Sequence, residues 1–252
     1  MSFESIRSFH LGNGIMKFEN VLQIDQENLS SFISDVETNG ILQGYNKDDG
    51  RNEGGYEFSE GDFNEAPSRF VGLDGSLKTE SGRKFLAEIK NGIYESLVRY
   101  CRVFPIVMSE VAWSTDGYVI RYSNNQNIGP HTDCALPYGP DGVTPINSFP
   151  LHNTLTAGLF LNDNFEGGEV HYRPWGISAK PKAGSVLIYP SSFMGCHEVS
   201  PVTSGTRYAY LCWYGHGIPE NAGTFRVPSL IKDVGELFVE QKAVPIGEAM
   251  VD

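Results

Sequence analysis

SVLIYPSSFMGCHEVSPVTSGTRYAYLCWY (185–214) holds two apolar runs of strand length, SVLIY (185–189) and TRYAYLCWY (206–214), joined by a segment dense in Pro, Ser, Thr and Gly. Runs rich in β-branched and aromatic residues and bounded by turn formers read as strands. Three runs upstream share the pattern: GYVIRY (117–122), LTAGLFL (155–161) and GEVHYR (168–173). Short strands at this spacing predict a sandwich or jelly roll that begins near residue 106.

Before that point the texture is helical. In 25–39, Asp25 is an N-cap candidate, Leu29, Phe32, Ile33 and Val36 fall on one face, and Gly40 ends the helix. In 81–101, Phe85, Ile89, Ile93, Leu97 and Cys101 recur every four residues, widened by Leu86 and Val98, with Lys84, Glu88, Lys90 and Glu95 opposite. Such a stripe packs on a sheet, and Pro105 stops the helix. Residues 40–80 are rich in Gly, Asn, Asp and Glu and read as long loops with one or two short strands; the tail from 219 predicts one short helix near 229–242. There is no internal repeat, so 1–252 reads as a single domain: helix-and-loop support in 1–105, a β core in 106–218 and a C-terminal extension in 219–252.

Composition narrows the function. With 252 residues and 40% hydrophobic content, the chain can bury a substantial core. A net charge of −12 without any run of Lys or Arg argues against nucleic acid as a partner, since phosphate binding needs basic side chains. Cys101, Cys134, Cys196 and Cys212 include no CxxC pair, so neither a zinc knuckle nor a redox motif is indicated. The first residues, MSFESIRSFH, lack the apolar core of a secretory leader, and no stretch approaches the roughly 18 apolar residues of a membrane helix. The expectation is a soluble, cytoplasmic protein with no membrane partner.

The chemistry concentrates in His131-Thr132-Asp133, His197 and Arg207. On extended chain, residues i and i+2 point the same way, so His131 and Asp133 can reach one ion, with His197 supplied from a strand across the barrel. Two imidazoles and one carboxylate on one face of a metal leave coordination positions open, the set that suits non-haem Fe(II). A closed structural zinc site would need a fourth ligand, usually a thiolate; a catalytic zinc hydrolase could use the same three donors. Arg207, ten residues beyond His197, can grip a carboxylate through two parallel hydrogen bonds. His10, His152, His171 and His216 read as surface or structural, and Cys134 and Cys196 as small packed residues.

From Tyr122 to Trp213, the motifs HTD (131–133), FLNDNFEGGEVHY (160–172) and PKAGSVLIYPSSFMGCHEVSPVTSGTRYAYLCWY (181–214) resemble the prolyl 4-hydroxylase-like branch of the Fe(II)/2-oxoglutarate-dependent dioxygenases, especially the PKHD-type hydroxylases. The resemblance implies a mainly β (α+β) fold, a double-stranded β-helix with flanking N-terminal helices. It implies His131, Asp133 and His197 as iron ligands, Arg207 on the distal carboxylate of 2-oxoglutarate, and Tyr122 near that cosubstrate. Phe160 stands where some relatives carry a cosubstrate-binding tyrosine; Thr156 or a water would then supply the missing donor. Trp213 is expected to pack behind the site, Gly167 and Gly168 to allow a close approach between strands, and Gly184 and Gly205 to occupy turns. The segment 134–153, with four prolines, reads as a loop over the site mouth.

The implied reaction is hydroxylation of a substrate carbon using O2 and 2-oxoglutarate, with succinate and CO2 released and ascorbate as a candidate reductant; Asp133 sets the chain apart from halogenating relatives. A prolyl or other residue in a peptide or protein is the first substrate reading, a free amino acid or natural product the second. A groove lined by Tyr138, Phe149 and Trp175 would suit a peptide. A non-catalytic jelly-roll binding module and a nucleic-acid demethylase are the remaining alternatives; the intact triad with Arg207 opposes one, the charge of −12 the other.

Overall fold

The computed structural model describes residues 6–43, 67–134, 151–217, 224–226, 230–234 and 247–248. The chain opens with a hairpin, β1 (Arg7–Gly12) and β2 (Ile15–Glu19), followed by α1 (Gln26–Asn39), β3 (Ile41–Gln43), β4 (Ser68–Val71), the short α2 (Leu73–Ser76) and the long α3 (Glu80–Val103). Then come β5 (Trp113–Thr115), β6 (Tyr118–Tyr122), β7 (Ile128–His131), β8 (Leu151–Phe160), β9 (Glu166–Gly167), β10 (Val170–Tyr172), β11 (Ile177–Ala179), β12 (Val186–Pro190), β13 (His197–Val199), β14 (Val202–Ser204) and β15 (Arg207–Gly217). The last described pieces are β16 (Thr224–Arg226), α4 (Leu230–Val234) and β17 (Gly247–Glu248).

An eleven-stranded major sheet runs β17-β1-β2-β12-β8-β15-β6-β4-β3, with β5 and β16 joined beside β15. A minor sheet runs β11-β10-β13-β7, and β14 pairs with β9. Every described strand pair is antiparallel, from the Tyr189↔Thr156 register of β12 with β8 to the Arg207↔Tyr122 register of β15 with β6. This is a double-stranded β-helix, the architecture expected.

Both helices end where their caps dictate. Asp25 accepts from the Asn28 N–H at the start of α1, and Thr79 accepts from Gly82 N–H at the start of α3. The α3 stripe is sealed: Phe85, Ile89, Ile93, Leu97 and Cys101 are each at most 2% exposed. It packs against the outer face of the major sheet, where Leu155, Ala157, Leu159, Val186, Ile188, Tyr210 and Cys212 join one continuous core. Their neighbours in sequence point the other way: Phe160, Leu187, Tyr189 and Ala209 form a second cluster on the inner face. Strand periodicity of two therefore builds two different surfaces from the same three strands.

Two expectations are corrected. The 1–105 region supplies β1 and β2 to the major sheet, where no strand was expected, while β3 and β4 are short strands of the kind expected within 40–80. The β1–β2 turn is built on Asn13 and Gly14 at positive φ, and its apolar residues Ile15, Met16 and Phe18 are all buried because β2 lies between β1 and β12. The tail likewise contributes β16 and β17 to the major sheet, and of the helix expected at 229–242 only Leu230–Val234 is described. Among the expected turn and close-approach glycines, Gly184 sits at φ +72° with its carbonyl accepting from Val21 and Leu22, so any Cβ would overlap Leu22. A Cβ on Gly167, at φ +75°, would likewise overlap the Pro201 carbonyl.

α1 and α3 are also joined by a buried charge. Asp35 Oδ2 accepts from Thr79 Oγ1 at 2.6 Å, Thr79 N at 2.9 Å and Lys78 N at 3.2 Å, at the positive end of α3. These donors, led by the Thr79 hydroxyl, hold the carboxyl below its ordinary 3.8. The depressed value means the stabilisation is full above about 3.8 and lost as pH falls through the lower folded value. Asp35→Asn is expected to lower stability by about 1–3 kcal/mol in denaturant titrations at neutral pH, with the gap from wild type closing as pH drops below 3.8. Leu97→Ala, which empties a fully buried position, should cost about 2–5 kcal/mol by the same measurement and without pH dependence.

Candidate metal centre

His131 is the last residue of β7 and Asp133 lies two beyond it, in a turn, so the i, i+2 relation outlasts the strand. His197 opens β13, which pairs directly with β7 in the register His197↔His131. The expectation that His197 crosses the barrel is therefore corrected: the two imidazoles are neighbours in the minor sheet, with ring centroids 4.3 Å apart. The donor atoms of His131, Asp133 and His197 all lie within 4.8 Å of one another.

Hydrogen bonds aim these donors. His131 Nδ1 contacts Gly129 O at 2.8 Å and His197 Nδ1 contacts Gly195 O at 2.9 Å, each using the carbonyl two residues earlier. A carbonyl can only accept, so each Nδ1 carries hydrogen and each Nε2 presents its lone pair to the common centre. Burial, and then His131 beside it, depress His197 to about 4, which leaves it neutral near pH 7. Burial opposes the charge of Asp133, but the imidazoles of His197 and His131 and hydrogen bonds from Thr156 and Tyr189 outweigh it and hold the carboxyl below its usual value. Two imidazoles whose Nε2 atoms face one point, beside an ionised carboxylate, are the donor set a divalent ion needs.

A cavity of about 540 Å³, mouth included, runs from these donors across the inner face of the major sheet to Arg207. Tyr118, Ile120, Tyr122, Phe160, Leu187, Ala209 and Leu211 are among its walls. Arg207 is 4% exposed, with its guanidinium 4.6 Å from the Tyr122 ring centroid and 5.2 Å from that of Phe160. Its Nε and Nη1 have no hydrogen-bond partner among the described residues. Burial works against its charge, and the Tyr122 phenol works to keep it.

Tyr122 lies beside Arg207. Thr156 does not: its hydroxyl donates to Asp133 Oδ2 at 2.7 Å and touches Ser191 Oγ at 2.9 Å. Thr156 and Phe160 share one face of β8 but are four residues apart, roughly 13 Å along a strand, so Thr156 serves the donor end of the cavity and cannot stand in for a hydroxyl at Phe160. Trp213 pairs in register with Thr156 and its ring lies 5.4 Å from Tyr118. In the loop 134–153, residues 135–150, with Tyr138 and Phe149, lie outside the described residues. Trp175 donates to the Met194 carbonyl and is absent from the cavity wall.

Sequence reasoning missed Tyr189, whose hydroxyl lies 3.1 Å from Asp133 Oδ2 and 3.3 Å from His197 Nε2. The signal was present: SVLIY alternates, and Tyr189 falls on the same face as Leu187. It also missed Arg69 of β4, which lines the cavity and stacks over Tyr118 at 5.3 Å, because the short strands expected within 40–80 carry too weak a periodicity to be placed.

Comparison with known proteins agrees with this geometry. The family model described as the 2OG-Fe(II) oxygenase superfamily matches residues 117–215. A PKHD-type hydroxylase of Shewanella baltica is 38% identical over 97 residues, covering 37% of this chain and 39% of that protein. One from Teredinibacter turnerae is 32% identical over 126 residues, covering 48% and 52%. The chain thus spans about two fifths to one half of these relatives' length. Among solved structures, the viral collagen prolyl hydroxylase of Paramecium Bursaria Chlorella virus-1, in complex with 2OG, superposes with a TM-score of 0.51 at 16% identity, over 80% of this chain and 96% of that one. The prolyl hydroxylase of Trichoplax adhaerens gives 0.53 at 17%, over 81% and 84%. At such identities the structures speak for the fold alone. With its double-stranded β-helix, its grouped His, Asp and His donors and its sequence match, the stretch 117–215 of this chain is similar to the 2OG-Fe(II) oxygenase superfamily.

Proposed function

We propose that the chain is an Fe(II)- and 2-oxoglutarate-dependent dioxygenase that hydroxylates a carbon of a prolyl or other residue in a peptide or protein. The observation that carries this reading is the buried, incompletely bonded guanidinium of Arg207 in the same cavity as the three donors. A cation buried without an anion costs several kcal/mol; a carboxylate-bearing cosubstrate that reaches from the metal to Arg207 removes that cost. His131 Nε2, His197 Nε2 and Asp133 would hold the ion. When bound, iron supplies the redox chemistry by which O2 converts 2-oxoglutarate to succinate and CO2 and delivers oxygen to a substrate C–H. The residues around it bind and shield: Arg207 orients the far carboxylate, Tyr122 and Phe160 cover the guanidinium faces, and apolar Ile120, Leu187 and Val199 keep water from the cavity between.

Support for a peptide substrate comes from the surface beside His197. Phe193 is 71% exposed and Trp175 36%, and Trp175 is tied to the 193–195 turn through the Met194 carbonyl. An exposed aromatic pair there suits an extended chain better than a closed small-molecule pocket. The Trichoplax adhaerens structure was solved with a hypoxia inducible factor oxygen degradation domain peptide fragment.

The test is anaerobic loading with Fe(II), then calorimetric binding of 2-oxoglutarate and succinate release on admitting O2 with ascorbate and proline-containing peptides. Wild type should bind both and release succinate. Arg207→Met should keep Fe(II) but lose about 2–5 kcal/mol of 2-oxoglutarate affinity, and His131→Ala or His197→Ala should lose Fe(II) and turnover together. Wild type that holds Fe(II) yet ignores 2-oxoglutarate would overturn the reading.

A further inference from the structure

Resting on that reading of the metal centre, we infer that Tyr189 and Thr156 are positioning residues that hold Asp133 as a single-oxygen ligand. Both hydroxyls sit on the same carboxylate oxygen: Thr156 donates to Oδ2 at 2.7 Å and Tyr189 donates to it at 3.1 Å. The other oxygen, Oδ1, is the one facing His131 Nε2, at 3.7 Å. A carboxylate whose second oxygen accepts two hydrogen bonds is held back from closing both oxygens onto one ion. A two-oxygen grip would use an extra coordination position, one that a chelating 2-oxo acid and dioxygen need between them.

The arrangement is built in from three sides. Tyr189 and Thr156 are register partners on β12 and β8, so adjacent strands set their hydroxyls side by side. Ser191, two residues after Tyr189, touches the Thr156 hydroxyl at 2.9 Å and accepts the Cys134 N–H on its own carbonyl at 3.1 Å. Asn153 donates to the Asp133 carbonyl at 2.8 Å, so the aspartate main chain is fixed as well as its side chain. The Tyr189 ring is wedged edge-on between Tyr172 at 5.4 Å and His197 at 4.9 Å. Tyr189, Thr156 and Ser191 are 4%, 0% and 1% exposed, so water does not compete for these bonds.

The experiment titrates Co(II) into the full chain anaerobically, following its visible absorption as a report of ligand number. Tyr189→Phe and Thr156→Val remove one hydroxyl each at nearly constant volume; Thr156→Ser restores one. Tyr210→Phe removes a buried phenol bonded to the Asp116 carbonyl on the opposite face of the sheet and controls for stability. The two hydroxyl deletions should each weaken Co(II) by about 10- to 100-fold and alter its spectrum, while Thr156→Ser and Tyr210→Phe behave as wild type. If either deletion fails to fold, the other decides. Deletions with wild-type affinity and spectrum overturn the positioning role and leave the metal reading standing; wild type that binds no Co(II) brings down both.

Discussion

The structure depends on the alternation of side chains along β8, β12 and β15. These strands cannot spare a face. Outward, Leu155, Ala157, Leu159, Val186, Ile188, Tyr210 and Cys212 seal the helices onto the sheet. Inward, Phe160, Leu187, Tyr189 and Ala209 shape the cavity. A one-residue slip in any of the three would turn core residues into the cavity and site residues toward the helices at once. Stability and chemistry thus share one register, and the long apolar stripe of α3 helps to hold it.

This coupling explains what the sequence made legible. The α3 stripe and the run TRYAYLCWY are strong periodic signals, and their elements lie where the spacing put them. The donors His131, Asp133 and His197 stood out as residue types, but their closeness depends on β7 and β13 being neighbours, a property of topology that local spacing does not carry. The β1–β2 hairpin was missed because it is short and takes its apolar neighbours from β12, some 170 residues on. Thr156 lies on the strand its run predicts, but its partner Asp133 reaches it only through the turn after β7, which local spacing does not show. Tyr189 carried no motif; its role exists only once β12 and β8 are paired.

The inner face also concentrates charge against the protein's overall balance. On a chain of net charge −12, Arg207 is buried at one end of the cavity while Asp133 lies at the other. Aromatic faces soften the cost of the guanidinium, and hydroxyl donors soften that of the carboxylate. Each ion is cushioned on the side facing the protein and left open on the side facing the cavity. A pre-arranged polar site of this kind spends folding free energy on readiness for a ligand.

The placement of β2 against β12 also governs how the chain can be made. At ribosomal speeds of about 5–20 residues per second, the first hairpin leaves the ribosome roughly eight seconds or more, and α3 roughly four seconds or more, before β12 arrives. Through that interval β2 lacks its partner β12, and the stripe of α3 can pack only on α1 and on the strands already made. The order of synthesis thus leaves the β12 side of β2 unpaired until the central strands are delivered.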